Sequence, residues 1–127
     1  HVNSLRDAVS HSGLENVTVV AGSSSRTNFP DAACDGLFLH DVYHHLTEPA
    51  SMDASMLAAL KPGGRVAVID FTPPGKEAER PEDRGKDGSH GVTAATVARE
   101  LREAGFQVLS EETPPQRWFM VVAEKRR

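Results

Sequence analysis

Phe106-Gln107-Val108-Leu109 and, beyond the connection from Glu111 to Arg117, Trp118-Phe119-Met120-Val121-Val122-Ala123 are the stretches whose reading decides the fold. Both are rich in β-branched and aromatic residues and read as strands. The connection between them is too short for a crossover helix, so the pair must run antiparallel. Upstream, Arg65-Val66-Ala67-Val68-Ile69-Asp70-Phe71 is the clearest strand in the chain. It follows Lys61-Pro62-Gly63-Gly64, which stops a helix whose apolar stripe is Met52, Met56, Leu57 and Leu60. Thr47 is the expected N-cap of that helix, with Glu48 and Pro49 in its first turn. Asp35 to His40 and Val17 to Ala21 read as two further strands, near-continuously apolar and so expected to be covered on both faces. Residues 1–12 read as an amphipathic helix stopped by Gly13, and Thr93 as the cap of a helix carrying Val97, Leu101 and Ala104 up to Gly105. Strands alternating with helices predict an α/β layer fold with a mostly parallel sheet, finished by an antiparallel hairpin.

A chain of 127 residues with 39% hydrophobic and 25% charged residues is sized for one domain, 1–127, with a buried core. The net charge of −4 disfavours a nucleic-acid backbone as partner, since phosphates need clustered Lys and Arg. No apolar run approaches the ~20 residues of a membrane-spanning helix. The single cysteine, Cys34, cannot form an internal disulfide and reads as an inert thiol, so a reducing cytoplasm is the expected location. Residues 72–91 are rich in Pro, Gly and charge and read as a long loop of a length suited to a lid, whose mixed run from Lys76 to Asp87 looks like a solvated surface. Trp118, Phe119 and Met120 are expected in the hairpin core.

A parallel sheet closed by a reversed hairpin resembles the class I S-adenosylmethionine-dependent methyltransferase variant of the Rossmann-like fold. Val19-Val20-Ala21-Gly22 with Phe29-Pro30-Asp31 is similar to that family's passage from third to fourth strand. Leu60-Lys61-Pro62-Gly63-Gly64-Arg65 is similar to its late motif, and Ala104-Gly105-Phe106 to its turn into the sixth strand. Asp41-Val42-Tyr43-His44-His45 further resembles a subset acting on small molecules. The resemblance implies S-adenosyl-L-methionine as cofactor, a small-molecule acceptor, and a sheet in the order three-two-one-four-five-seven-six. It also implies that the glycine-rich loop and the ribose-binding acid belong upstream of residue 1, so that the first two strands are missing, a sheet edge is unpaired, and this chain alone binds the cofactor weakly or not at all.

By the same resemblance, Gly22, Ser23, Ser24 and His40 would contact the cofactor, with Ser23 standing where many members carry an acid against the adenine amine. His40, Asp41, His44 and His45 follow a strand at the carboxyl edge of the sheet, where ligands of open α/β sheets bind. Imidazole is suited to proton transfer near neutrality, so His44 and His45, one of them oriented by Asp41, are the candidate catalytic residues for deprotonating a hydroxyl acceptor. If Asp41 onward is helical, His40 and His44 share one face, and Asp41 and His45 the next. Alternatively, Tyr43 and one histidine pack beneath the loop while Asp41 caps the helix. Tyr43, Asp70 and His90 are the candidate substrate contacts. The spacing matches no established zinc pattern, and no metal is expected. Two alternatives stand beside the enzyme: a non-catalytic truncated module associating as a homo-oligomer through its exposed sheet edge, and a nicotinamide-dependent oxidoreductase, which the reversed hairpin disfavours.

Overall fold

The computed structural model describes residues 1–72, 75, 77–78, 80–84, 91–114 and 118–127. Helix α1 (Val2–Ser12) is followed by strand β1 (Cys34–His40), helix α2 (Pro49–Ala59), strand β2 (Leu60–Phe71), helix α3 (Ala94–Ala104) and strands β3 (Gln107–Glu112) and β4 (Trp118–Glu124). The four strands form one sheet in the order β1-β2-β4-β3. β1 runs parallel to β2, with Leu37 opposite Val66 and Leu39 opposite Val68. β4 runs antiparallel to both neighbours, placing Val68 opposite Val121 and Val108 opposite Ala123. This is the four-five-seven-six half of the order implied by the resemblance, hairpin included.

Hydrophobic burial explains which face is filled. Val66 and Val68 of β2 and Phe119, Val121 and Ala123 of β4 point to one side and meet Met56 of α2 and Val97, Ala98 and Leu101 of α3. Leu60, Phe106 and Tyr43 complete this core. Each of the Val, Leu, Met and Phe side chains contributes about 1.5–3 kcal/mol when fully removed from water. Thr93 caps α3 as the sequence predicts, its hydroxyl accepting the Thr96 amide at 3.1 Å. Gly64 is required where β2 passes β1, because a Cβ there would lie 2.9 Å from the Lys61 carbonyl and 3.0 Å from that of Asp35.

Several expectations are corrected. Val17 to Ala21 forms no strand, and Val17 and Val20 are exposed. In the family order two strands separate this segment from β1, and the described residues hold no such strands for it to pair with. For the same reason the outer edge of β1 is unpaired among the described residues, as expected, whereas two-sided cover of the sheet is not found among them. Phe38, on the face opposite α2 and α3, is 67% exposed. Helix α1 buries no residue. The N-cap of α2 is Glu48 rather than Thr47, and no side chain caps it; Pro49, which has no amide hydrogen, occupies the first turn. Trp118 is 44% exposed while Phe119 is buried, since alternation along β4 sends them to opposite faces. Arg84, within the run taken as a solvated surface, is 4% exposed. Among the described residues, no helix is long and apolar enough to cross a membrane.

Candidate active site

Chain direction reverses at the carboxyl end of β1. Asp41 takes a left-handed conformation (φ 59°), tolerated by Asp better than by most residues, while its amide donates to the Ile69 carbonyl at 2.8 Å. A single 3₁₀ turn, Tyr43–His45, follows, closed by the His45 amide on the Val42 carbonyl. The turn replaces the helix considered from sequence and changes which histidines share a face: His44 is buried and His45 exposed, their rings 4.1 Å apart.

His44 is held by Asp70, the second residue from the end of β2. Its Nδ1 lies 2.9 Å from Asp70 Oδ1 and its backbone amide donates to Oδ2 at 3.0 Å. The Phe71 amide donates to Oδ1 at 2.8 Å. Asp70 is 2% exposed, so this buried carboxylate is satisfied by donors from two segments. An Nδ1–H donated to Asp70 leaves Nε2 as the acceptor nitrogen, which is the tautomer a general base needs. Asp41 Oδ1 stands further off, 3.9 Å from Nδ1, with its side chain largely exposed. Asp70 rather than Asp41 therefore orients the histidine, a pairing that the distance of 26 residues hid from sequence reading.

The other candidates are placed as follows. Tyr43 is fully buried, its hydroxyl 2.7 Å from Asp53 Oδ2 and 3.1 Å from Glu100 Oε1. With no exposed surface it has no atom to offer a substrate, and Asp70 likewise acts on His44 rather than on an acceptor. His40 is exposed and stacks on Phe38 across the open sheet face. His90 lies outside the described residues. Ser23 closes its own loop: its hydroxyl accepts the Arg26 amide at 3.1 Å and the Ser25 amide at 3.3 Å. The Ser24 hydroxyl donates to Glu48 at 2.8 Å, tying the loop to the start of α2.

Two cavities flank the turn. One of about 310 Å³ is lined by His40, Asp41, Asp70, Phe71 and Trp118. The other, about 240 Å³, lies between the 22–29 loop and the end of β1, lined by Gly22, Ser23, Phe29, Phe38, Val42 and Met56 among others. A larger hollow of about 590 Å³ lies between the start of α2 and α3, lined by Glu48, Glu100 and Glu103 among others and by none of the candidate histidines. The smaller flanking cleft tests the fit of S-adenosylmethionine. Its mostly apolar walls suit a flat ring, with Arg26 and Thr27 also at the lining, while the Ser23 hydroxyl has already spent its acceptor capacity and no carboxylate is among the lining residues. Among the described residues, Asp41, His44 and Asp70 bring ligand atoms within 4.8 Å of one another. A cation there would have to displace the His44–Asp70 hydrogen bond.

The family model described as "Methyltransferase domain" matches residues 2–68. The chain belongs to this methyltransferase domain family. Among relatives, the methyltransferase domain here is similar to the ubiquinone/menaquinone biosynthesis C-methyltransferase UbiE of Marinomonas sp. (strain MWYL1), with 33% identity over 57% of this chain and 29% of that one. It is also similar to the 27-O-demethylrifamycin SV methyltransferase of Amycolatopsis mediterranei (strain S699), with 33% identity over 69% of this chain and 35% of that one. A solved SAM-dependent methyltransferase from Aquifex aeolicus superposes with a TM-score of 0.74 at 25% identity, covering 97% of this chain and 62% of that one. The methyltransferase domain thus spans roughly a third of the length of these curated relatives.

Proposed function

We propose that this chain supplies the acceptor-activating half of an S-adenosylmethionine-dependent methyltransferase for a small molecule bearing a hydroxyl group, working within a longer, cytoplasmic parent chain. The observation that carries the reading is the Asp70–His44 pair, 2.9 Å apart at the carboxyl edge of the sheet. The cofactor, when bound, supplies a methyl group already activated on a sulfonium. Gly22, Phe29, Phe38 and Val42 would hold its flat base in the apolar cleft. His44 Nε2 would take the proton from the acceptor hydroxyl while Asp70 fixes the ring and stabilises the imidazolium that results. Phe71, whose ring meets that of His44 edge-on at 6.1 Å, limits water at the base.

Two of the curated relatives are named as a C-methyltransferase and as a methyltransferase of an O-demethylated substrate, and two others as phosphoethanolamine N-methyltransferases. An oriented imidazole base favours the second kind of acceptor, because a hydroxyl must lose its proton on transfer. The test is a screen of hydroxylated small molecules with methyl-labelled S-adenosylmethionine and the parent chain. Label should enter an ether and transfer should fall in His44→Gln; label only in N-methyl or C-methyl products would overturn the hydroxyl assignment.

A second reading is favoured by one observation, the exposed Phe38 on an unpaired edge strand. Were the chain a non-catalytic association module, it would elute from size-exclusion chromatography as a stable oligomer that Phe38→Lys dissociates. The enzymatic reading expects no such dependence.

A further inference from the structure

Asp53 projects from α2 into the core and has no exposed surface. Its Oδ2 lies 2.7 Å from the Tyr43 hydroxyl, and its Oδ1 has no hydrogen-bond partner among the described residues. The same hydroxyl lies 3.1 Å from Glu100 Oε1 on α3. Glu100 in turn holds the Arg84 guanidinium through two bonds, Nη2 to Oε2 at 2.8 Å and Nη1 to Oε1 at 3.1 Å.

A phenol has one proton and cannot donate to two carboxylates at once. Glu100, gripped by a guanidinium, is the member that stays ionised. The hydrogen bonds close if Asp53 carries a proton: Asp53 donates to the Tyr43 oxygen, and Tyr43 donates to Glu100. The unpaired Oδ1 is then the carbonyl oxygen of a neutral acid, far cheaper to bury than half of an unpartnered anion. Burial pushes the Asp53 carboxyl up to about 7; the Tyr43 hydrogen bond opposes this, the Glu100 charge adds to it and Arg84 offsets it.

We propose that Asp53 carries its proton in the fold and acts through Tyr43 as a positioning residue, locking the 3₁₀ turn that presents His44 and releasing that turn as it ionises. The turn is pinned on both sides of one peptide bond, Tyr43 to Asp53 and Glu100, His44 to Asp70. Arg84 brings the segment after β2 to the same anchor, its Nε donating to the Ala78 carbonyl at 3.2 Å. The functional consequence rests on His44 being the base proposed above, whereas the proton assignment does not.

The sign of the pH dependence follows from linkage. An aspartate titrates near ~3.9 when unfolded, and in the folded chain Asp53 titrates higher. Its neutral form thus stabilises the fold fully below pH ~4, and that contribution is lost as pH rises to about 7, after which it is constant. Asparagine mimics the neutral acid at every pH. The melting temperature of Asp53→Asn relative to wild type should therefore climb between pH 4 and 7 and level off above. Asp53→Leu, which cannot donate to Tyr43, should melt lower than Asp53→Asn throughout. In wild type, exchange of the His45 and Leu46 amides should accelerate across the Asp53 titration beyond the ordinary base-catalysed trend, and in Asp53→Asn it should not. Infrared spectra of the native chain at pH 6 should show a protonated carboxyl band that Asp53→Asn removes. A wild-type spectrum without that band would overturn the proposal even if the variants fail to fold. So would a melting difference that is flat or falls with pH, or amide exchange identical in wild type and Asp53→Asn. None of these measurements involves methyl transfer, so their failure is separable from failure of the base assignment.

Discussion

Replacing His44 by Gln in the parent chain is expected to lower kcat for a hydroxyl acceptor by about 10²–10⁴-fold, the range that a positioned general base supplies, with donor binding unchanged. Asp70→Asn should lose a comparable part of that factor although it does not touch the acceptor. Its carboxylate takes the Nδ1 proton and two backbone amides, and an amide in its place offers a donor where an acceptor is needed, so the ring turns or takes the wrong tautomer. His45→Gln, altering an exposed ring beside the dyad, should cost far less. Steady-state rates with the acceptor returned by the labelled-donor screen check this ordering. Equal losses in His44→Gln and His45→Gln would mean that the buried pair is structural only.

Glu100→Leu should cost about 3–5 kcal/mol of unfolding free energy, the penalty of removing one partner from a buried ion pair. The Arg84 side chain has no exposed surface, so water cannot replace the lost carboxylate. The double variant Arg84→Met/Glu100→Leu should recover most of the loss, because the cost lies in a buried guanidinium that has lost its carboxylate more than in the missing bond. Urea denaturation of the two variants measures both. A loss below about 1 kcal/mol in Glu100→Leu would place the pair in a solvated, weakly coupled setting.

Local chemistry made much of this legible in the residues. The reversed hairpin followed from a connection too short for a helix, and the α3 cap from a threonine ahead of an apolar stripe. What depended on distant segments was hidden. Val17 to Ala21 has strand composition, yet a strand exists only where a neighbour supplies its hydrogen bonds. Asp70 read as a group at the sheet edge because nothing local shows that His44, 26 positions earlier, folds over it. The charged network was missed for a different reason, and a signal did exist. Asp53 and Glu100 each lie beside the apolar stripe of a helix, next to Met52 and Leu101, and a charge at such a position calls for a buried partner. Arg84 had no such mark within its mixed-charge surroundings.

The most direct test of the account is a titration of the isotopically labelled 127-residue chain with S-adenosylhomocysteine, followed by amide chemical shifts. The account predicts weak, millimolar-range binding with the largest shifts at Gly22 to Ser24 and Phe38 to Val42. Shifts confined to the hollow around Thr47 to Ala50 and Arg99 to Ala104, with those two segments unmoved, would contradict it.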